Sequence, residues 1–233
     1  LHDLETGDLL AILDSGHITS VRTALAGALG ADVLARKDAS RVAIVGAGTQ
    51  GRTQLRALAF VRNIEGVAVL DAVTGAAERF AAESHDGIAC GIAVAGSIED
   101  AVSDADIVVT STWATKPFLL EGMVRPGTHI TSLGPDSPGK AEVSAGLIEK
   151  SVFVCDDRDL AVEMGAVGGV GLGPAAIDAE LGEFIGGMKA GRTSGDQVTI
   201  FGSVGLAFQD LAAAWMVYEK AKTEGAGLLV GFA

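Results

Sequence analysis

The 233 residues carry 17 Lys and Arg against 30 Asp and Glu, a net charge of −13 with the four histidines neutral. So acidic a chain is a poor partner for nucleic acid or an anionic membrane surface, and neither is expected. A hydrophobic share of 48% excludes a disordered chain and supplies a packed core, and the length fits one large domain or two small ones. Cys90 and Cys155 lie too far apart for a C-x-x-C pair or a disulfide framework. His2, His17, His85 and His129 are scattered without metal-ligand spacing, so no metal is expected. The longest apolar stretches, such as 164–177, are broken by Gly or Ser short of a membrane span. The acidic start, Leu1-His2-Asp3-Leu4-Glu5, does not suit a signal peptide, and a cytoplasmic location is expected.

In chain order, a helix is expected over 19–36, with Thr19 as its candidate N-cap. The run Arg41-Val42-Ala43-Ile44-Val45 predicts a buried strand, followed by a helix over 50–62 with Leu55, Leu58 and Ala59 on one face. Strand 67–70, helix 76–83 and strand 88–94 come next. Ser97 opens another helix, with Asp100 at the capping-box spacing. Strands are expected at 107–110, 129–133 and 152–155. The glycine-rich stretch 164–173 reads as a flexible loop over a site edge. A long helix is expected over 203–222, apolar at Leu206, Ala207, Leu211, Ala214 and Val217. Strand–helix alternation of this kind implies an α/β fold, a Rossmann-type doubly wound parallel sheet with right-handed crossovers. That domain is placed at 38–198. Residues 1–37 and 199–233 are read as the discontinuous remnant of a second domain, with the two end helices packed together outside the sheet.

Gly46-Ala47-Gly48-Thr49-Gln50-Gly51 is a G-x-G-x-x-G. Glycine-rich chains produce the pattern by chance, and a tight strand-to-helix turn without ligand is the bland alternative. Here it follows a hydrophobic strand and opens a helix, where Gly46, Gly48 and Gly51 allow a tight turn and a close backbone approach to a pyrophosphate at the helix N-terminus. Asp71 ends the next strand, at the spacing of the carboxylate that accepts from a ribose 2′-OH. Arg79 is the next basic residue, eight positions on and on a helix, so NAD is favoured over NADP.

Ligands of an open parallel sheet sit beyond the carboxyl ends of its strands. Two segments fall there, Thr110-Ser111-Thr112 and Leu133-Gly134-Pro135-Asp136-Ser137-Pro138-Gly139-Lys140. Asp136, stiffened by Gly and Pro neighbours, is either a turn-former or a general base or acid beside a nicotinamide. Lys140 either neutralises a phosphate or is simply solvated. Arg22 is either a surface arginine or a bidentate clamp for a substrate carboxylate. Ser203 either caps the last helix or, with Val204, touches the nicotinamide or the substrate.

The order and spacing of these segments resemble the ornithine cyclodeaminase/mu-crystallin family over nearly the whole chain. The matching motifs are Asp3-x-x-Thr6-Gly7, Ile18-Thr19-x-x-Arg22-Thr23-Ala24, Gly46-x-Gly48-Thr49-Gln50, Asp136-x-Pro138-Gly139-Lys140-x-Glu142, Gly182-Glu183, Gly191-Arg192-Thr193 and Phe201-x-Ser203-Val204-Gly205-x-Ala207-x-x-Asp210. The resemblance implies that Asp136 is the catalytic carboxylate and that Arg22 meets both substrate carboxylate and cofactor. It further implies cofactor contacts from Thr49, Gln50, Asp71, Thr112, Ile130, Thr131, Ser132, Leu133, Lys140 and Ser203, and a substrate contact from Val204. It implies NAD-dependent hydride transfer at the Cα of a small L-amino or imino acid, in a homodimer built through the second domain. The leading form is a cyclodeaminase converting L-ornithine to L-proline and ammonia. The alternatives are a ketimine or Δ1-pyrroline-2-carboxylate reductase, an alanine dehydrogenase, or a dinucleotide-binding protein without turnover. Family members carry a further segment before the Asp3 region, so an incomplete chain or a shortened relative is expected.

Overall fold

The computed structural model describes residues 1–84 and 88–231; His85 lies outside the described residues. Among the described residues the strands are β1 (Arg41–Val45), β2 (Gly66–Leu70), β3 (Ile92–Val94), β4 (Ile107–Thr110), β5 (His129–Ser132), β6 (Val152–Cys155), β7 (Ala179–Glu180) and β8 (Thr199–Gly202). They form one sheet in the order β3-β2-β1-β4-β5-β8-β6-β7, and every pairing is parallel. The helices are α1 (Ser15–Leu34), α2 (Thr49–Val61), α3 (Ala76–Glu83), α4 (Ile98–Val102), α5 (Ala145–Glu149), α6 (Arg158–Glu163), α7 (Ala166–Gly169), α8 (Leu181–Ile185) and α9 (Ala207–Glu224).

β1, β2, β4 and β6 read as mainly apolar runs because both faces of the sheet are covered there. Val42 and Ile44 of β1 and Ile107 and Val109 of β4 pack with Leu55 and Leu58 of α2 and Phe80 of α3. Ala43, Val45 and Val108, one pleat over, pack with Val102 of α4, Ile148 of α5 and Val167 of α7. Each large side chain removed from water here contributes about 1.5–3 kcal/mol before entropy. β2 and β3 lie to one side of β1 and the later strands to the other. The winding therefore reverses between β1 and β4, and the crevice beyond their C-terminal ends is the topological switch point.

The chain forms two compact units, residues 1–22 with 206–233, and residues 23–205. The second holds the whole sheet. In the first, the Asp3 carboxylate accepts from the N–H groups of Glu5 and Thr6 to close a turn. The Asp210 carboxylate there binds the Arg22 guanidinium at 3.1 Å and the Thr19 hydroxyl at 3.3 Å. α9 has no buried residue; Phe208, Leu211, Trp215 and Met216 are all exposed. No helix among the described residues is long and apolar enough to cross a membrane.

Several elements differ from expectation. α1 begins at Ser15, so Thr19 lies inside the helix and caps nothing. Its second half lies on the sheet rather than outside it: Leu34 packs with Val154 and Phe201. A Cβ at Gly30 would meet the Phe201 ring at 2.6 Å, so glycine lets the helix approach this closely. β3 is only three residues long, because Ile88 turns into the core ahead of it. β8 was not expected; its four residues are all buried between β5 and β6. The last helix starts at Ala207, not Ser203. The stretch 164–173 is no flexible loop, since it contains α7 with Val167 fully buried. Cβ atoms at Gly168 and Gly169 would strike the carbonyl oxygens of Val162 and Lys140, so these glycines serve close packing.

Candidate active site

The glycine loop sits at the switch point. Gly46 has φ +106°, a left-handed conformation that glycine adopts freely. Gly51 lets α2 close onto β1: a Cβ there would strike the Gly46 carbonyl and come within 2.9 Å of Ile44 Cγ2. At Gly48 a Cβ would meet nothing within 4 Å, so the backbone faces open space. Gly48 is also the N-cap of α2 and offers no side-chain acceptor, and the first turn holds no acid. The first-turn N–H groups therefore remain available, with the positive end of the helix dipole behind them. The buried Oε1 of Gln50 has no hydrogen-bond partner. Asp71, just past β2, accepts from Ala47 N–H and from Val73 N–H, both at 2.7 Å, which ties the carboxylate to the loop. An uncapped helix start, an open glycine and a fixed carboxylate fit the pyrophosphate and ribose of a dinucleotide.

The next loop follows β5. Pro138 and Gly139 (φ +84°) occupy the middle of a turn closed by Lys140 N–H on the Ser137 carbonyl, a type II arrangement. The turn brings Lys140 Nζ to 2.5 Å from Asp136 Oδ1. The ammonium also lies 4.1 Å from the centre of the Trp113 ring, a cation–π contact. The Asp136 side chain is 51% exposed and that of Lys140 only 14%, so the carboxylate stays accessible while the cation is held.

Two carboxylates, Glu142 fully buried and Asp156 partly buried, organise this edge of the sheet, and sequence reasoning assigned neither a role. Glu142 accepts from Thr110 Oγ1, Thr112 N–H, Thr112 Oγ1, Ser132 Oγ and Gly134 N–H at 2.6–3.0 Å. Asp156, just past β6, accepts from Ser203 Oγ at 2.8 Å, Val204 N–H at 3.0 Å and Gly205 N–H at 2.7 Å. The sequence signal was modest: an acid between Ala141 and Val143, and an acid directly after a buried strand.

The structure thus brings together most of the expected site residues along the C-terminal edge of the sheet. Gly46 and Gly48 form the loop and Thr49, Gln50 and Gly51 the first turn of α2, with Asp71 bound to the loop through Ala47. Ser111 joins that loop to the end of β4, donating its N–H to Val45. Thr112 and Ser132 meet on Glu142. Ser203 donates its N–H to Ser132 at 3.1 Å, and Leu133 binds the Thr110 carbonyl. Earlier in β5, Ile130 packs in the core and the Thr131 hydroxyl lies 3.1 Å from His129 Nε2. Ser203 is not a helix cap, since its hydroxyl is committed to Asp156. Arg22 lies in the other compact unit, on Asp210 and Gln209.

Two further groups are chemically quiet. His129 is fully buried between the hydroxyls of Thr199 and Thr131. Burial, then the nearby charges of Arg192 and Arg62, push its pKa down to about 3, so it stays neutral at physiological pH. Burial, then Asp156, pushes the Cys155 thiol up to about 12, so it forms no nucleophilic thiolate. No cluster of metal-ligating side chains occurs among the described residues.

Residues 1–225 match the model of the ornithine cyclodeaminase/mu-crystallin family. An alanine dehydrogenase from Archaeoglobus fulgidus is 38% identical over 237 residues, spanning 100% of this chain and 72% of its own. The structure of an archaeal alanine dehydrogenase dimer with bound NAD superposes with a TM-score of 0.93 at 37% identity, covering 100% of this chain and 73% of that one. The Δ1-pyrroline-2-carboxylate reductase of Thermococcus litoralis, in complex with NADH and L-proline, also gives 0.93 at 36% identity, covering 98% of this chain and 72% of that one. With the family match running over nearly the whole chain and a relative more than a third identical along its full length, this chain belongs to the ornithine cyclodeaminase/mu-crystallin family.

Proposed function

We propose that the protein is an NAD-dependent enzyme acting at the α-carbon of a small L-amino acid or the matching imine. The observation that carries this is the shared sheet edge. The uncapped start of α2 with its open Gly48 and anchored Asp71 lies past β1, and the accessible Asp136 with its Lys140 lies past β5, two strands away. Relatives bearing names of this chemistry, an alanine dehydrogenase and a Δ1-pyrroline-2-carboxylate reductase, support the substrate class.

In this proposal Gly46, Gly48, Thr49, Gln50 and Gly51 cradle the pyrophosphate, and Asp71 accepts from the adenosine ribose. Thr112, Ile130, Thr131, Ser132, Leu133, Lys140 and Ser203 are proposed along the rest of the cofactor. Bound NAD supplies the hydride acceptor, or in the reverse direction the donor. The chain's own residues do the remaining work. The α-carbon gives up hydride only when its nitrogen is unprotonated, and Asp136 takes the ammonium proton and returns it in reverse. Lys140 holds the Asp136 carboxylate in place. Arg22, on the resemblance alone, binds the substrate carboxylate, and Val204 contacts the side chain. A homodimer in the cytoplasm completes the proposal; the dimeric alanine dehydrogenase supports the first part.

The test is a panel of L-amino acids with NAD+, following both reduced cofactor and ammonia. Accumulating NADH with ammonia is the expected result and indicates net oxidative deamination. Ammonia from ornithine without NADH indicates the ring-closing cyclodeaminase, in which the hydride is returned. No turnover here or with cyclic imines and NADH, while NAD still binds, overturns the enzymatic proposal in favour of a binding protein.

A further inference from the structure

Glu142 is fully buried, and its five hydrogen-bond donors are all neutral. A buried carboxylate without a cation is costly, and a full set of strong hydrogen bonds is the compensation. What distinguishes Glu142 is where those donors come from. Thr110 ends β4 and Thr112 lies two residues past it, Ser132 ends β5, and Gly134 begins the loop that carries Asp136 and Lys140. Glu142 itself ends that loop. The carboxylate therefore clasps both ends of the nine-residue segment 134–142 and fastens it to two strands. Its backbone is pinned as well: the Glu142 carbonyl accepts from Phe118 and Leu119 N–H at 3.0 and 2.9 Å. Glycines press in from two sides. A Cβ at Gly134 would strike the Glu142 carboxylate, and one at Gly169 would strike the Lys140 carbonyl.

We propose that Glu142 is a positioning residue that orders the 134–142 loop and so sets the place from which Asp136 works. The inference rests on the assignment of Asp136 as the proton carrier. Glutamine at 142 has one acceptor oxygen and adds two donors, so it cannot satisfy five donors. Aspartate keeps the charge but falls a methylene short.

The experiment compares Glu142→Gln, Glu142→Asp, Asp136→Asn and the Asp136→Asn/Glu142→Gln pair in the full chain. Amide hydrogen exchange reads the loop without reference to activity. In Glu142→Gln, exchange in the peptide covering 133–141 is expected to rise about tenfold or more, with β1 and β2 unchanged. In turnover assays kcat is expected to fall about a hundredfold while the KM for NAD+ moves by a much smaller factor, because the glycine loop and Asp71 make no contact with Glu142. The double variant is expected to be no slower than Asp136→Asn alone, since a displaced carboxylate and a missing one amount to the same loss. Glu142→Asp is expected to recover part of both changes. Unchanged exchange in the loop overturns the inference, and so does a kcat loss that Glu142→Gln adds in full to that of Asp136→Asn. Wild-type turnover by Asp136→Asn removes the catalytic assignment beneath it, and the exchange result then separately decides whether Glu142 orders the loop. If Glu142→Gln does not fold, Ser132→Ala and Glu142→Asp take its place, with the same exchange outcomes deciding.

Discussion

Asp136 is half exposed, so its ion pair with Lys140 contributes only about 0–1 kcal/mol of stability. Such a pair, held by a rigid turn and an aromatic ring, is better explained by placement of the carboxylate than by folding energy. Asp136→Asn is expected to lower kcat by about 10²–10⁴-fold, the usual range for a lost general base, and to leave Tm and NAD affinity nearly unchanged. Calorimetry and a fluorescence titration check the last two. His129 gives the opposite case, a residue silent in catalysis and loud in stability. Its folded pKa of about 3 lies below the unfolded value of 6.5, so the unfolded chain takes up the proton first. Stability is insensitive to this group above pH 6.5 and falls as pH drops towards 3, by about 1.4 kcal/mol per pH unit within that window. His129→Gln should flatten that part of the pH–stability curve measured by urea unfolding; an unchanged slope would mean another group dominates. At this scale the sequence exposed Asp136, Asp71 and the glycines, because turn chemistry and spacing are local. It hid the roles of Glu142 and Asp156, whose donors sit up to 49 residues away in the chain.

At the scale of elements, the two glycines of the α2 start make opposite predictions. A Cβ at Gly51 meets the Gly46 backbone and the Ile44 side chain, so Gly51→Ala must push α2 off the strand and should cost about 1–3 kcal/mol. Gly48 has ordinary extended φ and ψ and open space around it, so Gly48→Ala should leave Tm unchanged. Its methyl would stand where a pyrophosphate approaches, and NAD affinity should fall about tenfold or more. Thermal melts and NAD titration of the two variants separate packing from ligand approach. The core strands and α2 and α3 were legible to within a residue or two, because continuous apolar runs and a 3.6-residue period announce them. β8 and the short helices α5 to α8 were not. β8, Thr199-Ile200-Phe201-Gly202, lacks the β-branched run that marks β4, and α5 to α8, at four to six residues, are too short to show a helical period, so only their neighbours hold them. The same holds for 164–173: composition suggested mobility, but Gly165, Gly168 and Gly169 are places where two backbones touch.

For the whole molecule, the two edges of the sheet carry different anchors. At the N-terminal edge Asp106 accepts from Arg36 Nη2 at 2.5 Å, Arg125 Nη2 at 2.6 Å and the N–H groups of Ser40 and Arg41. Burial works against its ionisation, yet the two backbone N–H groups and then Arg125 and Arg36 outweigh it and hold the pKa low. Asp106→Ala leaves two partly buried guanidinium groups without this partner and should cost about 3–5 kcal/mol with kcat per folded molecule unchanged. Urea unfolding beside an activity assay checks this. At the C-terminal edge the anchors, Glu142 and Asp156, hold the loops that bear the proposed chemistry. In the other compact unit, α9 exposes Phe208, Leu211, Trp215 and Met216, a surface that a homodimer would cover. Light scattering is expected to report two chains per particle, and Leu211→Asp with Trp215→Asp to report one. By itself the sequence determined the doubly wound sheet, the dinucleotide loop and the family, because each is written in short-range period, turn chemistry and motif spacing. Only the tertiary structure decided which acids are clasps and which is accessible, since burial and hydrogen-bond partners are set by strands that meet far apart in the chain. It also showed that Asp3, Glu183 and Arg192, all within family motifs, bind backbone groups: Asp3 the N–H groups of its turn, Glu183 the N–H of Glu180, and Arg192 the Leu34 carbonyl.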